Sequence, residues 1–403
     1  MQAGGKTYDF SAVHGAMQSY VDRDLLAGVS SAVLVGRELV DVHAAGWADK
    51  ENDIPLRTDH LFRIFSNTKL VTSCAVLMLM EEGRLKLDDA IDIYIPQLGN
   101  RRVLRPKPAD IDDTEPAASP ITVRHLLSHT SGLGYGFLNP GSVIDNAYNG
   151  RKVMNPAQTL EQMMDVLAEL PLSFHPGTRW EYSIATDVLG RLVEVVSGQR
   201  FSDFLQQRIF DPLGMADTGF VVPADKLDRL AAYYAGGDMF NPMKPGLKRL
   251  ENAPFPGAFV TPIPRQSGGG GLVSSLPDMV ALIRSLILDD KNAGGKGEPT
   301  LLKPDTIAQM MGNQLAPGLS IGFPGIGPVP GKVYGLAGAL TVQPSSLDPE
   351  ASAGTFEWGG VAGTHWWISP QHNLAGVLMT QRQMAFWHPF SFEFKRRVFS
   401  AML

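Results

Sequence analysis

Ser66 and Lys69 stand three residues apart in Phe65-Ser66-Asn67-Thr68-Lys69, at the head of a long apolar run. Positions i and i+3 share a face of a helix, so this spacing sets an ammonium beside a hydroxyl. A serine hydroxyl is a weak nucleophile at neutral pH and needs a neighbour to take its proton as it attacks. Lysine can do so only where burial or a second cation lowers its pKa toward the working range. Residues Val71 to Met80 are nearly all apolar, which predicts a helix buried on most sides with its first turn opening on a pocket. Glu81-Glu82-Gly83 should end it, glycine suiting the left-handed position after a helix. The helix start also offers backbone N–H groups and a partial positive charge to a developing anion. Roughly one Ser-x-x-Lys arises by chance in a chain of this length, so the pair needs partners elsewhere.

Two other segments supply candidates. Tyr182 follows the turn His175-Pro176-Gly177-Thr178 and precedes a helical pattern of Val188, Leu189, Leu192, Val195 and Val196, with Ser183 or Thr186 as cap. A phenolate beside two cations can act as the base that lysine alone cannot be; the alternative is a tyrosine that anchors a loop. Phe356 to Ile368 sets aromatic and β-branched residues around Gly359, Gly360 and Gly363, the pattern of two strands joined by a tight turn. A substrate lying along such an edge can place its carbonyl oxygen on an N–H, whereas a structural role needs only the turn.

In this order, Ser66-x-x-Lys69, Tyr182-Ser183-Ile184 and Trp358-Gly359-Gly360 resemble the three motifs of the serine β-lactamase-like superfamily. That superfamily includes class C β-lactamases, D-amino-acid peptidases and family VIII carboxylesterases. His129-Thr130-Ser131-Gly132 is similar to its His-Thr-Ser-Gly loop and Gly268 to Leu272 to its glycine run, and the resemblance extends from about Phe10 to about Phe390. Class C lactamases carry Tyr-x-Asn at the second motif and Lys-Thr-Gly at the third. Here Ile184 and Trp358 stand in place of the amide and the cation that recognise an anionic lactam. An indole adds apolar surface instead, so the pocket should prefer an uncharged acyl group. The Trp-Gly-Gly form is that of family VIII esterases and acyltransferases similar to them.

The resemblance implies a carboxylesterase that hydrolyses short to medium-chain esters through an acyl-enzyme on Ser66. Lys69 and Tyr182 would share the general base and acid roles as a coupled pair. Backbone N–H groups of Ser66 and Val361 would hold the oxyanion. Substrate contacts are expected from Tyr135, Phe137, Trp358, Gly359, Gly360 and His365, with no cofactor and no metal. The alternatives are a β-lactamase, a D-amino-acid peptidase or amidase, an acyltransferase, or a non-catalytic binding protein. No Gly-x-Ser-x-Gly elbow occurs, so an α/β-hydrolase reading lacks its nucleophile motif. His125 and His129 have the i, i+4 spacing of metal ligands, but the Ser-Gly ending and the lack of a third ligand favour a structural loop.

The chain's 403 residues, 44% hydrophobic and 19% charged, can bury a large core as one broad domain or two. A net charge of −6 without a basic run argues against nucleic acid and leaves a small-molecule ester as the expected partner. The single cysteine, Cys74, excludes an internal disulfide and reads as a buried filler. Met1 to Lys6 has no long apolar run, so neither signal peptide nor membrane anchor is expected and a cytoplasmic location is the default. Nothing in the sequence fixes an oligomeric state.

To position these groups, the pattern predicts an α/β (α+β) architecture. A helix over Ala12 to Leu26 leads to strands at Ser30 to Val35 and Leu39 to His43, joined through Gly36-Arg37. Helices follow at 159–170, 187–196 and 201–210, and strand signals return at 271–273, around Trp358 and at 374–380, before a last helix over 390–402. An antiparallel sheet flanked by helices on both faces should thus come from 1–88 plus 258–403. A mostly helical domain, 89–257, should lie against it with the active site between, as in the β-lactamase/transpeptidase-like fold that the resemblance implies. Residues 313–338 read as a pocket wall or lid, or a loop packed on itself, and 101–119 as a surface excursion. Trp366 and Trp367 alternate along a strand, so no more than one should face the site.

Overall fold

The computed structural model describes residues 2–3, 6–238, 241–288 and 300–402. Helix α1 (Ser11–Asp22) precedes a hairpin of β1 (Gly28–Val35) and β2 (Glu38–Asp49). The helix stops short of the expected Leu26 because Asp24 turns left-handed at φ 55° and the N–H groups of Leu25 and Leu26 bond back to the Tyr20 carbonyl. Next come β3 (Ile54–Pro55), β4 (Leu61–Arg63) and α2 (Thr68–Glu81). The middle of the chain contributes α3 (Val123–Leu127), α4 (Leu160–Ala168) and α5 (Ala185–Ser197). Residues 101–119 form the expected excursion, a small hairpin of Arg102–Leu104 with Thr114–Pro116, tied to the body where Arg101 donates to the carbonyls of Leu167, Ala168 and Leu170.

The return to the sheet runs through β5 (Val273–Ser275), α6 (Leu276–Arg284), β6 (Lys332–Tyr334) and β7 (Ala339–Thr341). It closes with β8 (Phe356–Gly359), β9 (His365–Ser369), β10 (Leu374–Thr380) and α7 (Pro389–Met402). Eight strands form one antiparallel sheet in the order β6-β7-β8-β9-β10-β1-β2-β3. Its centre joins distant parts of the chain, with Val377 of β10 opposite Ala32 of β1.

Alternation along these strands sends opposite faces to different cores. Val29, Val33, Leu374 and Leu378 pack against Val13 and Met17 of α1 and Phe390 and Phe394 of α7. Ala32, Leu34, Ala375 and Val377 join the core that contains α2, α5 and α6. Trp367 belongs to the first face and Trp366 to the second, as the period of two requires. Cys74 is fully buried in α2, and burial pushes its thiol up to about 12, which leaves it a protonated filler. Among the described residues no helix is long and apolar enough to cross a membrane.

Four charges lock the edge of the sheet to α7. Lys332 Nζ lies 2.9 Å from Asp348 and 2.6 Å from Glu357, and Lys395 Nζ lies 2.9 and 2.7 Å from the same two carboxylates. Burial alone would raise both acids, but the ammoniums of Lys395 and Lys332 overcome it, holding Asp348 well below the usual range and Glu357 at about 2. Because Glu357 ionises lower in the fold than the ordinary 4.5, its contribution is complete well above that value and is lost as the pH falls through it toward 2. Glu357→Gln is expected to cost about 3 kcal/mol near neutral pH. The deficit should shrink on acidification, as urea unfolding at about pH 7 and about pH 3.5 would measure.

Candidate active site

The chain reaches Ser66 from β4 through a left-handed Phe65, φ 42°, and a single 3-10 turn over Phe65–Asn67. A bulky residue at positive φ is strained, and the Phe65 ring is held against Tyr233 and Phe259. This turn presents the Ser66 side chain to the cavity, while α2 runs back into the core and carries Lys69 one turn below.

The glycine run lies directly on that first turn. Lys69 Nζ donates to the Gly269 carbonyl at 2.7 Å, Thr72 Oγ1 donates to the Gly268 carbonyl at 2.8 Å, and Leu272 N–H donates to Thr68 Oγ1 at 3.1 Å. Glycine is required for this approach. A Cβ at position 269 would fall 2.6 Å from Asp187 Oδ2 and 3.3 Å from Lys69 Nζ, and one at 268 would fall 2.5 Å from the Thr186 carbonyl oxygen.

Tyr182 arrives from a segment pinned on both sides. Glu181 N–H donates to the His129 carbonyl at 3.0 Å, Ile184 N–H donates to the Gly134 carbonyl at 3.0 Å, and the His129 ring meets Ser183 Oγ at 3.2 Å. Ile184 occupies the cap position of α5 and is fully buried, Thr186 lies inside the helix, and Ser183 Oγ accepts from the Ala185 N–H at 3.4 Å. The Tyr182 hydroxyl donates to Ser66 Oγ at 2.7 Å. Lys69 Nζ lies 4.5 Å from the centre of the Tyr182 ring, 3.4 Å from the Tyr135 hydroxyl and 3.5 Å from Ser66 Oγ. The last distance is at the limit of a hydrogen bond, so the ammonium is anchored on Gly269 more than on the serine.

The electrostatics favour a permanent charge at Lys69. Burial opposes its ionisation, but the phenols of Tyr135 and Tyr182 and the Asp187 carboxylate outweigh that and hold the lysine above its ordinary value. A lysine base needs the opposite shift. Burial pushes the Tyr135 phenol up to about 12 despite the neighbouring ammonium. His129, 1% exposed, is held well below the usual histidine range by burial and by Lys69, which leaves it a neutral hydrogen-bonding ring.

These groups open on a cavity of about 940 Å³. Tyr135, Phe137, Phe323, Trp358, Phe386 and Trp387 give it an aromatic wall around Ser66 and Tyr182. The turn after β8 is drawn against the turn that carries Ser66: Thr364 Oγ1 donates to the Ile64 carbonyl at 3.1 Å, and a Cβ at Gly360 would fall 2.4 Å from that same oxygen. Val361, next in the chain, lines the cavity beside Ser66.

The Beta-lactamase family profile matches residues 13–386. The chain belongs to the Beta-lactamase family. Esterase EstB of Burkholderia gladioli is 32% identical over 376 residues, spanning 90% of this chain and 88% of its own. Lovastatin esterase of Penicillium rubens is 33% identical over 341 residues, 80% of either chain. Among solved structures, EstCE1, described as a hydrolase with promiscuous acyltransferase activity, matches with a TM-score of 0.79 at 25% identity over 96% of this chain and 97% of its own. Within the Beta-lactamase family the fold is thus the serine hydrolase form similar to family VIII esterases.

Of the residues expected from sequence, Ser66, Tyr135, Phe137, Tyr182, Trp358 and Val361 share the cavity, and Lys69 lies directly behind it. Gly359, Gly360 and His365 do not line it. Gly359 and Gly360 serve close approach, a Cβ at 359 falling 2.4 Å from His365 Nδ1. His365 lines a separate small cavity of about 70 Å³ with Glu357 and Lys395, where burial lowers its pKa to about 4. The reason is the pleat: His365 pairs with Gly359 and turns its ring away from the serine. Neither Trp366 nor Trp367 reaches the Ser66 cavity. His125 and His129 are not a metal pair, since α3 ends at Leu127, His129 is left-handed, and the His125 ring accepts from Thr122 N–H in a capping box. No group of three His, Cys, Asp or Glu able to hold a metal occurs among the described residues.

Sequence reading missed three contributors: the Gly269 carbonyl, the Tyr135 hydroxyl that faces Lys69, and Asp187. Asp187, in the first turn of α5 just before the apolar pair Val188-Leu189, was the available signal, because aspartate is rarely buried without a partner. Within 313–338, a short hairpin of Gly322–Phe323 with Gly327–Pro328 supplies a piece of wall, its Phe323, Pro324 and Ile326 lining the cavity. Gly269→Ala is expected to displace Lys69 and lower kcat at least about tenfold, as a misplacement on the ångström scale can cost more. Steady-state kinetics on an active ester would measure it, with a thermal melt to separate misplacement from unfolding.

Proposed function

We propose that this enzyme, a serine hydrolase of the β-lactamase fold, is a carboxylesterase that cleaves short to medium-chain esters through an acyl-enzyme on Ser66. The single observation that carries the reading is the 2.7 Å bond between Tyr182 and Ser66 inside an aromatic cavity, with a buried ammonium beside both. The reaction starts from the Tyr182 phenolate, its hydroxyl proton lost to solvent and its charge met by the Lys69 ammonium; Ser66 Oγ attacks the ester carbonyl as its proton passes to the Tyr182 oxygen. The oxyanion rests on the N–H groups of Ser66 and Val361. Tyr182 then returns the proton to the leaving alcohol. Water enters by the same route, giving its proton to Tyr182 as it attacks the acyl carbon, and Ser66 is re-protonated as the acid leaves. Lys69 acts here as a fixed charge more than as the base, consistent with its raised pKa.

Relatives named as esterases support the ester over the lactam, as does Trp358 lining the cavity where lactamases place a lysine motif. The same reading sets a mostly helical domain, 89–257, against a sheet-bearing body, 1–88 plus 258–403. Its support is that both parts wall the cavity, with Tyr135, Tyr182 and Phe210 from one and Ser66, Phe323 and Trp358 from the other. Acyl transfer to an alcohol is the second reading, favoured by a cavity of about 940 Å³, large enough for acyl group and acceptor together.

p-Nitrophenyl esters of increasing chain length, assayed beside nitrocefin and a D-amino-acid amide, test the proposal. Short esters should turn over steadily, with nitrocefin and the amide far slower. Ser66→Ala should lose at least about 10⁴-fold in kcat, and Tyr182→Phe or Lys69→Met about 10³-fold or more. Faster turnover of nitrocefin than of any ester would overturn the assignment.

A further inference from the structure

Arg265 lines the Ser66 cavity, yet it is only 7% exposed. Its Nε and Nη1 are buried with no hydrogen-bond partner, and it pairs with no Asp or Glu among the described residues. Other buried guanidinium groups, such as those of Arg63 and Arg101, leave Nε without a partner, but their Nη groups donate. Arg101 donates to three carbonyls around residue 168, Arg382 donates to the carbonyls of Leu25 and Pro242, and Arg63 donates to Ala231 and Gln381. An arginine stays charged in proteins, and a buried charge without a partner is costly. One set in the wall of a cavity can be matched by a group that enters the cavity.

The composition of the wall indicates its sign. Among the described residues, two arginines, Arg200 and Arg265, line the cavity, and no Asp or Glu does. Arg200 stands at the rim, its side chain 72% exposed and 3.8 Å from Asp203, whereas Arg265 lies inside. Next to it the Gln266 side chain is engaged at both ends, accepting from Ser202 N–H and donating to Ser202 Oγ, each at 2.9 Å, so this stretch of wall is fixed. Position 265 is four residues from Gly269, which holds Lys69. A fully extended chain would separate the two Cα atoms by at most about 14 Å. A single ligand in a cavity of about 940 Å³ can therefore reach both.

We propose that Arg265 is a specificity-determining residue that receives a carboxylate carried at the non-reacting end of the ester substrate. A carboxylate suits it because a planar guanidinium pairs with planar oxygens through parallel N–H bonds. The uncharged third motif then faces the reacting acyl group, while the anion lies toward the 265 wall. The inference rests on the reading of Ser66 as an esterase centre and names the class of ester it takes.

Three substrates of similar length test it: hexyl butanoate, 6-(butanoyloxy)hexanoate with the carboxylate on the alcohol side, and monohexyl adipate with it on the acyl side. The wild type should favour one of the two anions over hexyl butanoate by about tenfold or more in kcat/KM, chiefly through KM, the scale of one charge-assisted pair. In Arg265→Gln that ratio should fall to near one, and Arg265→Lys should retain part of it. Equal ratios in the wild type, or a ratio unchanged in Arg265→Gln, overturn the inference while leaving the esterase reading intact. Calorimetry on Ser66→Ala with hexanoate and hexanamide reads the anion site without turnover and without altering Arg265. A Kd about tenfold or more lower for hexanoate supports the assignment, and equal affinities contradict it. Tight hexanoate binding in an enzyme that hydrolyses none of the esters would sink the esterase reading alone.

Discussion

Lys69 carries its charge at 1% exposure, so the fold must supply around it what water no longer does. A buried ammonium is tolerated only when it is paired and hydrogen-bonded. Here the partners are the Gly269 carbonyl at 2.7 Å, the Tyr135 hydroxyl at 3.4 Å, the face of the Tyr182 ring and the charge of Asp187. These partners come from three other stretches of the chain, Tyr182 and Asp187 sharing one. Satisfying one cation therefore draws the glycine run, the loop after His129, the start of α5 and the head of α2 to one point. Ser66 is the hydroxyl at that point. In the proposed mechanism this charge takes the place of a lowered lysine pKa, by stabilising the anion that forms when the serine proton leaves.

Close backbone approach is the second constraint, and it explains why glycine recurs where side chains seem to be needed. Residues 268 and 269 could not carry a Cβ without striking Thr186 or Asp187, and residue 360 could not carry one without striking the carbonyl that precedes the nucleophile turn. The sheet holds the far side of this arrangement. Glu357 and Trp358 are neighbours on β8 and alternate between its faces, the carboxylate gripped by Lys332 and Lys395 and the indole lining the Ser66 cavity. A structural ion network and a wall of the Ser66 cavity thus share one strand.

Much of this was legible from residue order. The hairpin of β1 and β2, the buried helix behind Ser66 and the return of the chain to the sheet follow from periods of two and 3.6, and the three motifs name side chains that meet around one cavity. Their meeting is a property of packing between segments more than a hundred residues apart, which no local pattern encodes. His365 was misplaced because nearness to Trp358 in sequence says nothing about pleat direction once a tight turn intervenes. The sign of the Lys69 shift was also hidden: an apolar run signals desolvation, but two phenols and Asp187 come from elsewhere in the chain. Arg265 gave no signal, since a lone arginine in a polar loop reads as solvated until its surroundings are known.

The central claim is that Ser66 is the nucleophile and that Tyr182 and Lys69 make it one. Mass spectrometry of the protein treated with a p-nitrophenyl alkylphosphonate addresses this directly, because such a reagent leaves a stable phosphonyl group on an activated serine. The account predicts one stoichiometric adduct on the peptide that contains Ser66, absent in Ser66→Ala and greatly slowed in Tyr182→Phe. An adduct on another residue, or labelling of Ser66 at an unchanged rate without the Tyr182 hydroxyl, would contradict it.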